Sequence, residues 1–111
     1  MIVEERIYTL LPGKTNEYFK IYEEFGLPVQ LPILGNLIGY FATEMGPLNQ
    51  VIHIWGYDSF EERTKRRTAL FQDQKWLDYV AKSRANIVSQ ENKLLIPAPF
   101  SPVGGVRPAK L

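Results

Sequence analysis

Apolar positions along the chain change their spacing several times, and each change predicts a new element. Residues 3–11 are rich in β-forming side chains and end at Pro12-Gly13, which is typical of a strand followed by a turn. Over residues 14–25, aromatic side chains recur three or four positions apart, as on one face of a helix, and Gly26 follows as the expected C-terminal stop. A second short helix or turn is expected over residues 28–34.

The middle of the chain predicts a hairpin followed by a helix. Residues 37–44 and 51–57 are both β-rich, and Gly46-Pro47-Leu48-Asn49 between them has the composition of a turn. Ser59 and Glu62 have the spacing of a capping box, so a helix is expected to begin after Ser59.

The last third of the chain predicts one more helical segment, a strand and a tail. Asp73 is the expected cap of the helical continuation, and residues 87–96 form the fourth predicted strand. Residues 97–111 contain four prolines and a Gly-Gly pair, so an extended or disordered tail is expected there. The predicted domain therefore covers residues 1–96, with residues 97–111 as its Pro/Gly-rich C-terminal tail.

The predicted order of elements is βαββαβ, the split βαβ arrangement of ferredoxin-like α+β domains. Such a domain has a four-stranded antiparallel sheet with both helices on one face. Alternation along the third strand places Ile52 and Ile54 on the face expected to meet those helices. The opposite face is also too apolar for solvent, so a partner sheet is expected to cover it and form a homodimeric α/β barrel. That face carries Val51, His53, Trp55 and Tyr57.

The partner-facing side is also expected to hold polar groups from the first two strands. Buried charges need partners, so such a set is either a self-satisfied network or the lining of a small-molecule site. The predicted ligand-binding residues are Glu4, Arg6, Tyr8, Tyr40, Glu44, His53, Trp55 and Tyr57.

Each of these residues has a structural alternative to its functional interpretation. His53 is a candidate general base or haem ligand, or else a buried histidine satisfied by Glu44, Tyr57 or the backbone. Arg6 either binds a ligand carboxylate together with Glu4 or forms an internal ion pair with it. The tyrosines line a pocket or serve as half-buried barrel aromatics. The basic run at residues 63–67 is expected to be a solvated helix face.

Composition narrows the classes of function. Among 111 residues, 45% are hydrophobic and the formal net charge is +1, which argues against a dedicated nucleic-acid binder. The chain has no cysteine and one histidine, without the spacing of a metal site or a phosphate-binding loop, so neither metal nor cofactor is expected. No apolar run is long enough for membrane insertion and no signal peptide is recognisable, so the default expectation is a cytoplasmic domain.

Two stretches resemble the NIPSNAP family: Glu4-x-Arg6-x-Tyr8-x-Leu10-x-Pro12-Gly13 and Leu37-Ile38-Gly39-Tyr40-Phe41-x-Thr43-Glu44-x-Gly46-Pro47-Leu48-Asn49-Gln50-Val51-Ile52-His53-Ile54-Trp55-x-Tyr57. The resemblance extends over residues 2–100 and implies a ferredoxin-like fold of the dimeric α/β-barrel superfamily, in a family of undefined biochemical role. Proteins related by this fold include cofactor-free monooxygenases and haem-degrading enzymes, but a shared fold does not transfer a reaction.

Two hypotheses of function follow. The first is a dimer that binds a small, partly apolar molecule, including an acid-bearing one, in the barrel cavity. The alternative is a cofactor-independent enzyme of the monooxygenase or isomerase type. In that enzyme His53 acts as the tentative catalytic general base, while Arg6 and Tyr8 position an oxyanion.

Overall fold

The computed structural model describes residues 1–108, which build a four-stranded antiparallel sheet with helices on one face. In sheet order β2-β3-β1-β4, the strands are β1 Ile2–Leu10, β2 Asn36–Ala42, β3 Gln50–Tyr57 and β4 Ile87–Leu95. The α-helices are α1 Thr15–Ile21, α2 Leu27–Leu34, α3 Phe60–Leu70 and α4 Gln74–Ser83. This is the ferredoxin-like α+β fold that the order of elements predicts.

Two predicted caps begin the helices after β3. The Ser59 hydroxyl accepts a hydrogen bond from the Glu62 backbone N–H at 3.1 Å. The Asp73 carboxylate accepts bonds from the N–H groups of Lys75 at 2.9 Å and Trp76 at 3.4 Å. Each cap satisfies backbone donors that have no partner within the first turn of a helix, so α3 and α4 begin where the sequence predicts.

Gly26 does not end the first helix, contrary to the sequence prediction. A π-helical turn, Tyr22–Gly26, joins α1 directly to α2, and the helical path ends only at Gly35, which has a φ of 91°. A Cβ atom on Gly26 would lie 2.7 Å from Tyr22 Cδ1 and 2.9 Å from Tyr79 Cε1. The glycine is therefore required by close aromatic packing, and not by a left-handed stop.

The β2–β3 connection begins earlier than predicted, because β2 ends at Ala42 and not at Glu44. Asn49 takes a φ of 60°, and its side-chain oxygen accepts a 3.1 Å hydrogen bond from the Gly13 backbone N–H. This bond ties the loop to the turn after β1. Glu44 lies exposed in the loop, so the prediction that it joins the buried polar set is wrong.

The two faces of the sheet are exchanged relative to the sequence prediction. Val51 and Trp55 are fully buried in the core with the helices, whereas Ile52 and Ile54 are only half-buried and lie outside the core cluster. Alternation separates the faces of a strand but does not say which face is covered. The helices bring bulky residues, including Leu70 and Trp76, and these pack on the aromatic side of β3.

The same exchange applies to β1, because Glu4 pairs with Trp55 and Arg6 pairs with His53 in the ladder. The predicted polar set thus lies between the sheet and the helices of one chain. Residues 99–107 contain turns and bends, with the Gly105 N–H bonded to Ser101 O and the Val106 N–H bonded to Pro99 O. This part of the predicted tail is therefore turned and not extended, and residues 109–111 lie outside the described residues.

Candidate functional site

A cavity of about 530 Å³ lies between the helix-covered face of the sheet and the helices. Its volume is within the range of small-molecule sites. Strands β1, β2 and β3 contribute Arg6, Tyr8, Tyr40 and His53 to its wall. The helical side contributes Tyr18, Tyr22, Gln30, Arg67, Phe71, Trp76, Tyr79, Val80 and Ser83. The remaining wall comes from Arg84 and residues 87–90.

Four of the eight predicted ligand-binding residues line this cavity: Arg6, Tyr8, Tyr40 and His53. Glu4, Trp55 and Tyr57 are buried in the same layer but are not part of the wall. Their positions follow from β-strand alternation, which places every second residue of β1 and β3 on one face. Glu44 is the one predicted residue that lies elsewhere.

Glu4 is the anionic centre of a buried network. Its Oε2 accepts hydrogen bonds from Arg63 at 2.7 Å, Asn92 at 2.9 Å and Arg6 at 3.3 Å. Burial would raise the pKa of this carboxyl, but the bonds from Arg63 and Asn92 and the charge of Arg6 hold it below its usual value. Glu4 therefore stays ionised, and the internal ion pair with Arg6 is present.

Arg6 is occupied on two sides. Besides its bond to Glu4, its Nε donates to the Tyr8 hydroxyl at 3.1 Å, and its guanidinium carbon lies 5.7 Å from the centre of the Tyr8 ring. Burial would lower the pKa of Arg6, but its contacts with Tyr8 and Glu4 raise it above the ordinary value. Two of the five N–H groups of Arg6 thus serve the protein's own groups.

His53 is held on three sides by aromatic rings. Its imidazole stacks on Tyr40 with centroids 4.6 Å apart, and the Tyr8 ring meets it edge-on at 4.9 Å. Its Nδ1 accepts a 2.7 Å hydrogen bond from Trp55 Nε1. This partner differs from the Glu44, Tyr57 or backbone group that the sequence suggests.

The bond from Trp55 determines the protonation of His53. A nitrogen that accepts an N–H bond carries no proton, so the proton of the neutral ring is on Nε2. Burial, and then the nearby charge of Arg6, lowers the pKa of His53 to about 3. Its Nε2 is buried and has no hydrogen-bond partner among residues 1–108. At neutral pH His53 is therefore a neutral residue with one unused N–H donor.

The tyrosines of the helical wall were not among the predicted site residues. The hydroxyls of Tyr18 and Tyr40 are 2.9 Å apart, and the Tyr22 hydroxyl donates to Gln30 Oε1 at 2.6 Å. Burial raises the pKa of Tyr18 and Tyr22, so both are neutral phenols. The helical spacing of aromatics over residues 14–25 predicts that these rings share a face, but it does not predict that the face lines a cavity.

The basic run at residues 63–67 is not entirely a solvated face, contrary to the prediction. Arg63 reaches inward to Glu4, and Arg67, one helical turn later, lines the cavity. The i, i+4 spacing of these two arginines is the sequence signal that places them on one side of α3. Arg66 pairs with Glu62 on a more exposed side, so only part of the run faces solvent.

Across residues 1–108, no three His, Asp or Glu side chains are grouped so as to hold a metal ion. Within that part of the chain, no helix has the length and apolar character needed to cross a membrane.

Solved structures share the fold of this chain at both low and high sequence identity. An antibiotic biosynthesis monooxygenase aligns with a TM-score of 0.63 at 12% identity, covering 89% of this chain and all of that one. A NIPSNAP family protein from Agrobacterium tumefaciens aligns with a TM-score of 0.90 at 52% identity, covering 92% of this chain and 97% of that one. The first likeness shows the fold alone, whereas the second extends to sequence.

Curated relatives carry the same family name. A NipSnap homolog from Dictyostelium discoideum is 37% identical over 94 residues, and NipSnap homolog 3B from Mus musculus is 38% identical over 104 residues. These alignments cover 85% and 91% of this chain but 41% of each of those proteins, so the chain spans about two-fifths of their length. The NIPSNAP family model matches residues 3–102. The chain therefore belongs to the NIPSNAP family.

Proposed function

We propose that this NIPSNAP protein binds a small, partly apolar molecule in the cavity between its sheet and its helices. The observation that carries the proposal is the cavity of about 530 Å³, whose wall includes His53, a residue that is 1% exposed and whose Nε2–H group has no partner among residues 1–108. A buried donor without a partner costs about 1–3 kcal/mol. A ligand acceptor placed against this group would recover that free energy.

The surroundings of His53 support binding more than base catalysis. The ring has its single lone pair on Nδ1, where the Trp55 indole already donates to it. The nitrogen without a partner carries a proton, so it donates hydrogen bonds and cannot take a proton from a substrate. The enzyme alternative, with His53 as general base, requires the opposite tautomer, in which the proton is on Nδ1 and the lone pair of Nε2 is free.

A neutral aromatic probe tests the binding function. Naphthalene-2-carboxamide has a flat apolar body and a carbonyl acceptor, and its affinity is measured by isothermal titration calorimetry. Val80 is half-buried in the cavity wall, so Val80→Trp is expected to fill the cavity and lower affinity at least tenfold. Leu77→Trp is the matched control, because Leu77 is exposed on the same helix and lies outside the wall.

Two results would overturn the binding function. One is the absence of binding to the wild-type protein by both this amide and the carboxylate with the same ring system, and the other is equal affinity of the wild type and the Val80→Trp variant. Circular dichroism and thermal unfolding establish that both variants are folded before their affinities are compared.

We also infer that the protein is a homodimer, with the sheet face opposite the helices as its interface. Ile7, Ile52 and Phe41 form one row across β1, β3 and β2, and the Phe41 side chain is 53% exposed. Phe41 lies against the bare backbone of Gly39, where a Cβ atom would be 2.6 Å from the ring. An exposed apolar row that crosses three strands is typical of a surface covered by a partner sheet. Analytical ultracentrifugation is expected to give twice the chain mass, and a monomer at all concentrations would contradict the inference.

A further inference from the structure

Positive charge is unbalanced along the cavity wall. Arg6, Arg67 and Arg84 are among the lining residues, whereas no Asp or Glu of residues 1–108 is. Behind the wall, the single carboxylate of Glu4 is shared between Arg6 and Arg63. The cavity is therefore a cleft of net positive charge, and the low-dielectric walls of such a cleft strengthen its attraction for an anion.

Arg67 is the half-buried arginine of this wall whose hydrogen-bonding capacity is unused; Arg84 also makes no side-chain bond within residues 1–108, but it is exposed. The guanidinium carbon of Arg67 lies 5.5 Å from the centre of the Phe71 ring, but within residues 1–108 its side chain makes neither a hydrogen bond nor an ion pair. Burial and the neighbouring charge of Arg6 lower the pKa of Arg67. An anion beside Arg67 would stabilise the charged guanidinium against both burial and the charge of Arg6. The two parallel N–H groups of a guanidinium also match a carboxylate in a bidentate contact.

Two side chains of the wall carry a buried N–H donor without a partner among residues 1–108. His53 Nε2 and Trp76 Nε1 have no partner in the described chain, and their residues line the cavity from β3 and α4 respectively. The other unpartnered buried atoms are Glu4 Oε1 and the Tyr57 hydroxyl, and both belong to residues outside the wall. The side chains of His53 and Trp76 therefore leave hydrogen-bonding capacity unused beside a positively charged cavity, and a ligand that brings acceptors and negative charge matches both features.

The apolar part of the wall is aromatic. The hydroxyls of Tyr18, Tyr22 and Tyr40 are engaged with one another or with Gln30, so these residues present ring surfaces more than polar groups. Tyr79 and Trp76 continue this surface, with centroids 4.9 Å apart. Aromatic walls bind planar rings through stacking and edge-to-face contacts.

We propose that the ligand is an aromatic carboxylate whose carboxylate is bound by Arg67 and accepts hydrogen bonds from the buried donors of His53 and Trp76. This inference rests on the binding function proposed above and narrows it to one chemical class. Arg6 is not the main anion ligand, because Glu4 and Tyr8 already occupy it.

A pair of probes that differ in charge tests the ligand class. Naphthalene-2-carboxylate and naphthalene-2-carboxamide share one ring system, so calorimetry of the full chain with each isolates the effect of the negative charge. The wild type is expected to bind the carboxylate at least tenfold more tightly than the amide. Arg67→Met is expected to remove this preference. Lys65→Met, an exposed site on the same helix and outside the wall, is expected to keep it.

The outcomes separate this inference from the binding function. Equal affinity of the wild type for the two probes overturns the carboxylate assignment and leaves the binding function standing. An unchanged preference in Arg67→Met overturns the role of Arg67. If neither probe binds the wild type, both the ligand class and the binding function are wrong.

His53 is tested by a pair of substitutions and by a spectroscopic measurement. Glutamine can accept from Trp55 and donate into the cavity, so His53→Gln is expected to retain carboxylate affinity within about threefold, whereas His53→Phe is expected to lose at least tenfold. Carboxylate binding to the wild type is also expected to shift the His53 Nε2 proton downfield in nuclear magnetic resonance spectra. No shift on saturation contradicts the contact, even where His53→Phe fails to fold.

Discussion

The indole of Trp55 donates a 2.7 Å hydrogen bond to Nδ1 of His53, two residues earlier on the same face of β3. Neighbours at i and i+2 in a strand lie side by side, so this bond is local in sequence and buried in the core. It leaves the proton of neutral His53 on Nε2, and with Tyr40 stacked on the ring it leaves the imidazole little rotational freedom.

The tautomer of His53 is the first prediction. Two-dimensional ¹⁵N–¹H spectra at pH 7 are expected to show protonation of Nε2 only, since Nδ1 is an acceptor. In Trp55→Phe that acceptor loses its donor, so a mixture of tautomers is expected, with a loss of about 1–3 kcal/mol in the free energy of unfolding. A wild-type spectrum that shows Nδ1 protonated would contradict the assigned bond.

The second prediction concerns stability in mild acid. In the unfolded chain the pKa of His53 is about 6.5, whereas burial in the fold lowers it to about 3. Between these values the unfolded state binds the extra proton, so stability is fully present above about pH 6.5 and falls as the pH is lowered. Urea unfolding is expected to show a loss of about 1.5 kcal/mol from this residue between pH 6.5 and pH 5.

His53→Gln supplies the control for that pH dependence. It removes the titrating group, so its free energy of unfolding is expected to change less between pH 6.5 and pH 5 than that of the wild type. Glu4 titrates at lower pH, because its hydrogen bonds from Arg63 and Asn92 hold its pKa below the ordinary value. Parallel curves for the two proteins would show that His53 is not the group responsible.

The third prediction contrasts a buried carboxylate with an exposed one. Glu4→Gln leaves Arg6 and Arg63 without their shared counter-charge, so a loss of about 3–5 kcal/mol in unfolding free energy is expected. Glu62→Gln breaks the more exposed pair with Arg66 and is expected to cost less than about 1 kcal/mol. Similar losses in chemical denaturation of the two variants would argue against a special role for the Glu4 network.

The fourth prediction concerns the proposed dimer. Ile52 lies between Ile7 and Phe41 on the open face, so Ile52→Glu would place a charge in the centre of the interface. Size-exclusion chromatography with light scattering is expected to give a monomer for this variant. Leu48→Glu, at an exposed apolar site in the β2–β3 loop, is expected to stay dimeric. A dimeric Ile52→Glu variant would place the interface elsewhere.

Local sequence patterns were sufficient to predict most of the fold. Four strands, the hairpin turn and the caps at Ser59 and Asp73 depend on interactions between residues a few positions apart, and each lies close to its predicted place. Gly26 is the exception, because its role depends on the Tyr79 ring, which the chain reaches more than fifty residues later. The sequence alone does not distinguish a glycine that ends a helix from one that makes room for an aromatic ring.

The candidate site also has one part that local sequence patterns predict and another that depends on long-range packing. Alternation along β1 and β3 was enough to predict that Glu4, Arg6, Tyr8 and His53 share one face of the sheet, and the strand pairing agrees. That the helices cover this face, and that Arg67 and Trp76 complete the cavity wall, follows only from the packing of the whole chain. Periodicity along one strand is a local property, whereas the choice of covered face depends on the total area that all elements bury together.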